Sequence, residues 1–227
     1  MVITIEKLLT SDEVAEFVRL LEAAAWTGGG VSAGTLSAVV KNNQQLPAAT
    51  EPALALSNFL LRKLGHHPAF VSAGLPEKIY PPVFNRYREG GAYGLHVDGA
   101  IMQMPSGRDV LRSDLSATLF LSDPAGYSGG ELKVETALGA QSVKLAAGDM
   151  VLYPSGSLHQ VTPVTAGCRV AAIFWVQSMV RDVSARAMLY ELDQSVQALT
   201  AQLGAADAQV TRLSGIYHNL LRRWSEV

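Results

Sequence analysis

The chain has 227 residues, 48% hydrophobic and 17% charged, an ordinary soluble globular composition with room for one sizeable domain and an appendage. A formal net charge of −2 removes any general electrostatic case for nucleic acid or an anionic membrane as partner. One cysteine, Cys168, excludes an intramolecular disulfide; the N-terminus turns acidic too early for a secretory signal, and no apolar run nears the roughly 20 residues that span a bilayer, so a cytoplasmic protein is expected.

Residues 2–5 read as a short strand. Thr10 opens a helix with Glu13 three residues on as a capping-box partner, and an apolar stripe follows at Val14, Phe17, Val18, Leu21, Ala24 and Ala25, ended by Gly28-Gly29-Gly30. Residues 36–40 read as a strand, and 41–45 as a polar Lys/Asn/Gln segment. A second helix is expected from about Glu51 to Leu64, stopped by Gly65 with Pro68 beyond. From there the pattern is one of short strands, at about 69–73, 79–88, 94–98, 115–122, 131–136, 141–146, 149–154, 159–164 and 168–177, separated by Gly, Pro and Asp turns. After Asp182 the helical period returns. Ala185, Leu189, Leu192, Val196, Leu199 and Leu203 mark one helix, and Val210, Leu213, Tyr217, Leu220 and Trp224 a second after Gly204. The expected fold is α+β with a mainly β core, a jelly roll or double-stranded β-helix with N-terminal helices and a C-terminal helical hairpin. The expected parts are 1–77, 78–178 and 183–227.

The chemistry gathers in a few residues. His96 and Asp98 stand two apart, so on a strand they share a face. A second histidine, His159, lies in YPSGSLHQVTP, and Arg169 follows ten residues later inside the apolar run CRVAAIFWV. Two histidines and one carboxylate form the facial triad of non-haem Fe(II) sites, with positions left open for substrate and O2. Strand alternation puts Arg169, Ala171, Ile173 and Trp175 on one face. A buried guanidinium there needs an anion, either a bound carboxylate such as that of 2-oxoglutarate or an internal acid such as Asp149. Tyr87 can offer its hydroxyl to the same carboxylate or to backbone, and Tyr93 is a candidate pocket-lining ring. His66, His67 and His218 read as structural. Arg108 and Arg112 read either as contacts to an anionic substrate or as parts of a solvated loop.

These pieces resemble a known family. FNRYREGGAYGLHVDGAI, RSDLSATLFLSDP, GGELKVE, SVKLAAGDMVLYPSGSLHQVTPVTAGCRVAAIFWVQSMVRD and LYELDQSVQAL are similar to the PKHD-type hydroxylases, bacterial Fe(II)/2-oxoglutarate dioxygenases akin to prolyl 4-hydroxylases. The resemblance covers nearly the whole chain. It implies Fe(2+) held by His96, Asp98 and His159, which makes these three the catalytic set, and 2-oxoglutarate held by Arg169. It further implies hydroxylation of an unidentified substrate with O2, release of succinate and CO2, and L-ascorbate as reductant. Iron uptake or siderophore metabolism is the setting it suggests. Gly99 departs from the pattern, where Asn is expected. Two rival readings keep the same pocket, a zinc enzyme and a non-catalytic iron or 2-oxoglutarate sensor whose partner meets segment 41–45 or the helical tail. The C-terminal helices are expected to pack on the barrel or to join two copies as a homodimer.

Overall fold

The computed structural model describes residues 1–29 and 40–226. The helices are α1 (Ser11–Glu22), α2 (Glu51–Gly65), α3 (Pro68–Gly74), α4 (Val183–Leu203) and α5 (Ala208–Trp224). The first strands are β1 (Ile3–Ile5), β2 (Thr27–Gly28), β3 (Lys41–Asn42), β4 (Gln44–Gln45), β5 (Pro76–Ile79), β6 (Val83–Tyr87) and β7 (Ala92–His96). Next come β8 (Ile101–Gln103), β9 (Val110–Arg112), β10 (Leu115–Phe120), β11 (Tyr127–Gly129), β12 (Leu132–Thr136) and β13 (Gly139–Val143). The last are β14 (Met150–Pro154), β15 (His159–Val161), β16 (Val164–Gly167) and β17 (Arg169–Ser178).

Two antiparallel sheets form the jelly roll. The larger has eight strands, in the order β1-β14-β10-β17-β6-β4-β2 with β5 also on β17; the smaller has five, β13-β12-β15-β7-β3. Period-2 alternation sorts the central strands between two cores. Leu115, Ala117 and Leu119 of β10 and Ala172, Phe174 and Val176 of β17 join Phe17, Leu21, Leu56, Leu60, Leu64 and Phe70 from the N-terminal helices. The opposite faces supply Phe120, Val151 and Tyr153, which pack with Leu132, Val134, Val161 and Val164. The larger sheet is thus buried on both sides, by helices without and by the smaller sheet within.

The N-terminal elements follow from local signals. The Thr10 hydroxyl accepts from Glu13 N at 3.3 Å, and the Glu13 carboxylate accepts from Thr10 N at 2.8 Å, which is the expected capping box. Glu13 also pairs with Lys63 of α2, tying the two helices together. Helix α1 stops at Glu22, before the glycines, because Trp26 turns back to donate its indole N–H to Leu21 O at 2.9 Å and Thr27–Gly28 joins the sheet.

Several elements differ from the expected ones. Residues 69–73 are not a strand but the core of α3. Pro68 does not end the preceding helix; it occupies the first turn of a new one, where a missing N–H costs nothing, and His67 caps it by accepting from Phe70 N at 3.4 Å. The expected strand at 79–88 is broken by Tyr80-Pro81-Pro82 into β5 and β6, and that at 159–164 by Pro163 into β15 and β16. The strand expected at 94–98 ends at His96. The expected strand at 36–40 lies outside the described residues except for Val40, which is in a turn. The polar segment 41–45 forms β3 and β4, which bridge the smaller sheet at β7 to the larger one at β6.

The C-terminal hairpin forms as its spacing predicts. Its buried residues Ala185 and Leu189 pack with Leu75 and Val180, flanked by Tyr217, Leu220, Leu221 and Trp224. No helix among the described residues is long and apolar enough to cross a membrane.

Candidate functional site

His96 ends β7 and His159 begins β15, and the two are direct cross-strand partners. Asp98 lies just past the strand end, two residues after His96, and its carboxylate faces both histidines. Asp98 Oδ1 is 3.8 Å from His96 Nε2, and Asp98 Oδ2 is 3.7 Å from His159 Nε2. One ligand atom from each of the three lies within 4.8 Å of the others. A single divalent ion can take all three.

The surroundings prepare the ligand atoms. His96 Nδ1 lies 2.8 Å from Gly94 O, and His159 Nδ1 lies 3.0 Å from Ser157 O, each two residues back along its own chain. A carbonyl only accepts, so each Nδ1 carries a proton and each Nε2 is the nitrogen left facing the site. The Ser116 hydroxyl donates to Asp98 Oδ2 at 2.6 Å. That uses its one proton, so the Ser155 hydroxyl, 2.8 Å away, donates to Ser116. Tyr93 stacks on His96 with ring centroids 3.6 Å apart, and Tyr153 meets His159 edge-on at 5.1 Å. Burial first, then the neighbouring His159, push His96 down to about 4, which keeps it neutral and ready to ligate near pH 7.

The triad opens into a cavity of about 370 Å³ between the sheets. Arg169, Ile173 and Trp175 of β17 line it, three of the four residues that alternation put on one face; Ala171 does not, and Phe174 of the other face does. Arg169 is 1% exposed, and its guanidinium sits between the rings of Tyr87 and Phe120, 5.3 and 5.2 Å from their centroids. Tyr87 is its cross-strand partner. Among the described residues Arg169 has no ion pair, and its Nε is buried without a hydrogen-bond partner. Asp149, the alternative internal acid, instead accepts from Lys7 N at 2.8 Å near the surface. Burial raises the Tyr87 phenol, so it stays a neutral donor. A buried cation without a protein anion, beside neutral phenol, is a seat for a small carboxylate.

Gly130 makes room for that seat. It has φ +68, and a Cβ there would stand 3.1 Å from Arg169 Cδ and 3.0 Å from Tyr127 and Val164. At Gly99 a Cβ would meet nothing within 4 Å, so the position has room for a side chain.

Of the other candidates, His66 and His67 cap helices and His218 is exposed. Arg112 is committed elsewhere. It donates to Asp114 at 2.8 and 3.0 Å and to Ser178 O at 3.2 Å, and reaches Glu226 at 3.4 Å. Arg108 is exposed in the β8–β9 connection. The sequence reading missed Ser116, Tyr153, Lys41 and Gln45, all of which line the cavity. Ser116 was discoverable in principle, since Ser116 and Thr118 alternate with apolar residues in a strand buried on both faces.

The 2OG-Fe(II) oxygenase superfamily profile matches residues 82–177, and the profile of the PKHD-type hydroxylase C-terminal domain matches 184–226. A PKHD-type hydroxylase of Teredinibacter turnerae is 58% identical over 226 residues, 100% of both chains. Among solved structures, a Pseudomonas putida prolyl-4-hydroxylase superposes with TM-score 0.53 at 23% identity, covering 78% of this chain and 92% of that one. HygX from Streptomyces hygroscopicus, solved with nickel, 2-oxoglutarate and hygromycin B bound, superposes with TM-score 0.53 at 17% identity, covering 78% and 82%. These two show the fold; the identity over the full chain shows more, and this protein belongs to the PKHD-type hydroxylases, enzymes of the 2OG-Fe(II) oxygenase superfamily.

Proposed function

We propose that His96, Asp98 and His159 hold the Fe(2+), and that Arg169, aided by Tyr87, holds the distal carboxylate of 2-oxoglutarate. The observation that carries this reading is the buried, orphaned Nε of Arg169, in the same cavity as a two-histidine, one-carboxylate donor set. A zinc site would use the three ligands but give that guanidinium nothing to bind. When bound, the iron and 2-oxoglutarate supply the oxidising power, R–H + 2-oxoglutarate + O2 giving R–OH, succinate and CO2.

The chain's own residues supply the rest. Gly94 and Ser157 carbonyls hold both imidazoles by Nδ1–H, so neither ring can rotate or present the wrong nitrogen. Ser116 fixes the Asp98 carboxylate through Oδ2 and leaves Oδ1 to the ion. Leu132, Val161 and Ile173 line the cavity with apolar surface, which limits water near the reacting groups.

The same reading includes ascorbate as the reductant, a cytoplasmic setting, a role in iron uptake or siderophore metabolism, and the division of the chain at 1–77, 78–178 and 183–227. It also includes self-association through the C-terminal hairpin, supported by exposed Met188 and Ile216 on α4 and α5; sedimentation of Met188→Glu and Ile216→Glu variants tests that part. The central test is anaerobic titration with Fe(II) and 2-oxoglutarate. A weak visible charge-transfer band is expected, absent in His159→Ala and Arg169→Ala, and discharged by O2 with succinate formed. A folded protein that gives no band with iron moves the assignment to zinc. A band that O2 leaves unchanged even with substrate candidates present favours a sensor.

A further inference from the structure

Segment 41–45 crosses from the smaller sheet to the larger one, and Asn43 is its pivot. β3 ends at Asn42 beside β7, and β4 begins at Gln44 beside β6. The Asn43 side chain between them is 8% exposed, and its Nδ2 donates to Asn85 Oδ1 at 3.3 Å. Asn85 is 0% exposed. It stands two residues before Tyr87 on β6, so the two share a face, and its cross-strand partner Ala171 lies two residues beyond Arg169 on β17. The amide pair therefore borders the Tyr87–Arg169 pair on the larger sheet.

The amide pair is one-sided. Two facing amides can exchange two hydrogen bonds, but here one forms. Asn43 Oδ1 and Asn85 Nδ2 are buried without a hydrogen-bond partner among the described residues. Burying an unpaired donor and acceptor is costly, so mutual pairing alone does not account for the arrangement. Gly29 accounts for one half of it. Its N–H donates to the Asn43 carbonyl at 2.9 Å, and its backbone lies so close to Asn43 Oδ1 that a Cβ there would collide with it. With Oδ1 on the Gly29 side, the amide presents Nδ2 to Asn85 and Tyr87. Burial raises the Tyr87 phenol, and the Arg169 charge and then a hydrogen bond from Asn43 oppose that rise. An amide N–H given to the phenol oxygen leaves the phenol's own proton to point at a ligand oxygen.

We propose that Asn43 is a positioning residue for 2-oxoglutarate, fixing the Tyr87 hydroxyl so that its proton meets the distal carboxylate beside Arg169, with Asn85 holding Asn43 in turn. This rests on the iron and 2-oxoglutarate reading above. Neither Asn43 nor Asn85 lines the cavity, whereas Tyr87 does, so both act through the phenol.

The test is a double-mutant cycle on the full chain loaded with redox-silent Mn(II), with 2-oxoglutarate affinity read by calorimetry. Asn43→Ala is expected to weaken 2-oxoglutarate about fivefold, the worth of one neutral hydrogen bond, and to leave Mn(II) affinity unchanged. Tyr87→Phe is expected to weaken it at least as much. In the Tyr87→Phe background Asn43→Ala is expected to change nothing further, because the hydroxyl it positions is gone. A merely structural asparagine would lower the affinity by the same factor in both backgrounds, and that result overturns the proposal. Unchanged affinity in either Asn43→Ala or Tyr87→Phe overturns it too. Asn85→Ala is expected to repeat the pattern, and it decides the matter if Asn43→Ala no longer takes Mn(II). Loss of Mn(II) binding in both variants makes the pair a folding element and also overturns the proposal. If 2-oxoglutarate does not bind the unaltered Mn(II)-loaded protein, or binds Arg169→Ala equally well, the iron and 2-oxoglutarate reading beneath the proposal is what fails.

Discussion

Individual side chains carry the site, and their effects are separable. On the proposed assignment, Arg169→Ala removes a desolvated charge from an ionic contact to 2-oxoglutarate, of a kind whose loss costs about 2–5 kcal/mol. The 2-oxoglutarate affinity is expected to fall by at least about 30-fold, while iron binding, read by calorimetry with Mn(II), changes little. Gly130→Ala attacks the same seat indirectly. Its left-handed backbone costs an L-residue about 1–2 kcal/mol, and the new Cβ presses on Arg169, Tyr127 and Val164. A lower melting temperature together with weaker 2-oxoglutarate binding is expected; unchanged affinity would mean that Arg169 has slack to move. His96 gives a pH dependence. Its folded value of about 4 lies below the unfolded value near 6.5, so between the two the unfolded chain binds more protons. The metal-free protein is therefore expected to lose stability as pH falls through that window, and His96→Gln to flatten the slope in urea titrations. The three ligand candidates and the arginine were legible because each residue type is costly to bury without a purpose. Ser116 and Lys41 were not, since serine and lysine are common everywhere and only the pairing of strands brings them to the cavity.

At the level of elements, what the sequence disclosed depended on length and period. Helices α1, α2, α4 and α5 run 12, 15, 21 and 17 residues, long enough for a 3.6-residue stripe or a cap to stand out. Helix α3 has 7 residues, too few to show a period, and its apolar run reads equally well as a strand. The β8–β9 hairpin escaped notice for a different reason. Its three-residue strands are largely exposed, and its position is set by charge contacts that no local pattern reveals. Asp114 accepts from Arg112 and from Ser178 N at 2.9 Å, while Arg112 also reaches Glu226 just beyond α5. Through these contacts the hairpin that bears Ile101, Met102 and Gln103 on the cavity rim is joined to β17 and the C-terminal segment. Asp114→Ala leaves a largely buried Ser178 N–H and a partly buried guanidinium short of acceptors. A loss of about 2–3 kcal/mol is expected by urea unfolding, after allowance for the partial exposure of Arg112. A loss below about 0.5 kcal/mol would show that the hairpin is held by other contacts.

For the molecule as a whole, the fold class was readable because many short strands are separated by Gly, Pro and Asp turns, and a helical tail has its own period. The order in which ligands join the sheets follows from where their residues sit. His96 and His159 join β7 to β15 within the smaller sheet, whereas Arg169 and Tyr87 join β17 to β6 within the larger one. On the proposed assignment, a metal ion alone would tighten the smaller sheet, and 2-oxoglutarate held by Arg169 as well as by the ion would tie the two sheets together. Each ligand at 100 times its dissociation constant adds about 2.7 kcal/mol of stability, and a chain of this size gains about 2–4 °C per kcal/mol. Redox-silent Mn(II) is thus expected to raise the melting temperature by about 5–10 °C, and 2-oxoglutarate to add a similar amount only when the metal is present. Arg169→Ala should keep the first increment and lose most of the second; His159→Ala should lose both. A 2-oxoglutarate increment that appears in full without metal would contradict a chelate spanning the two sheets and would leave Arg169 as a stand-alone anion site.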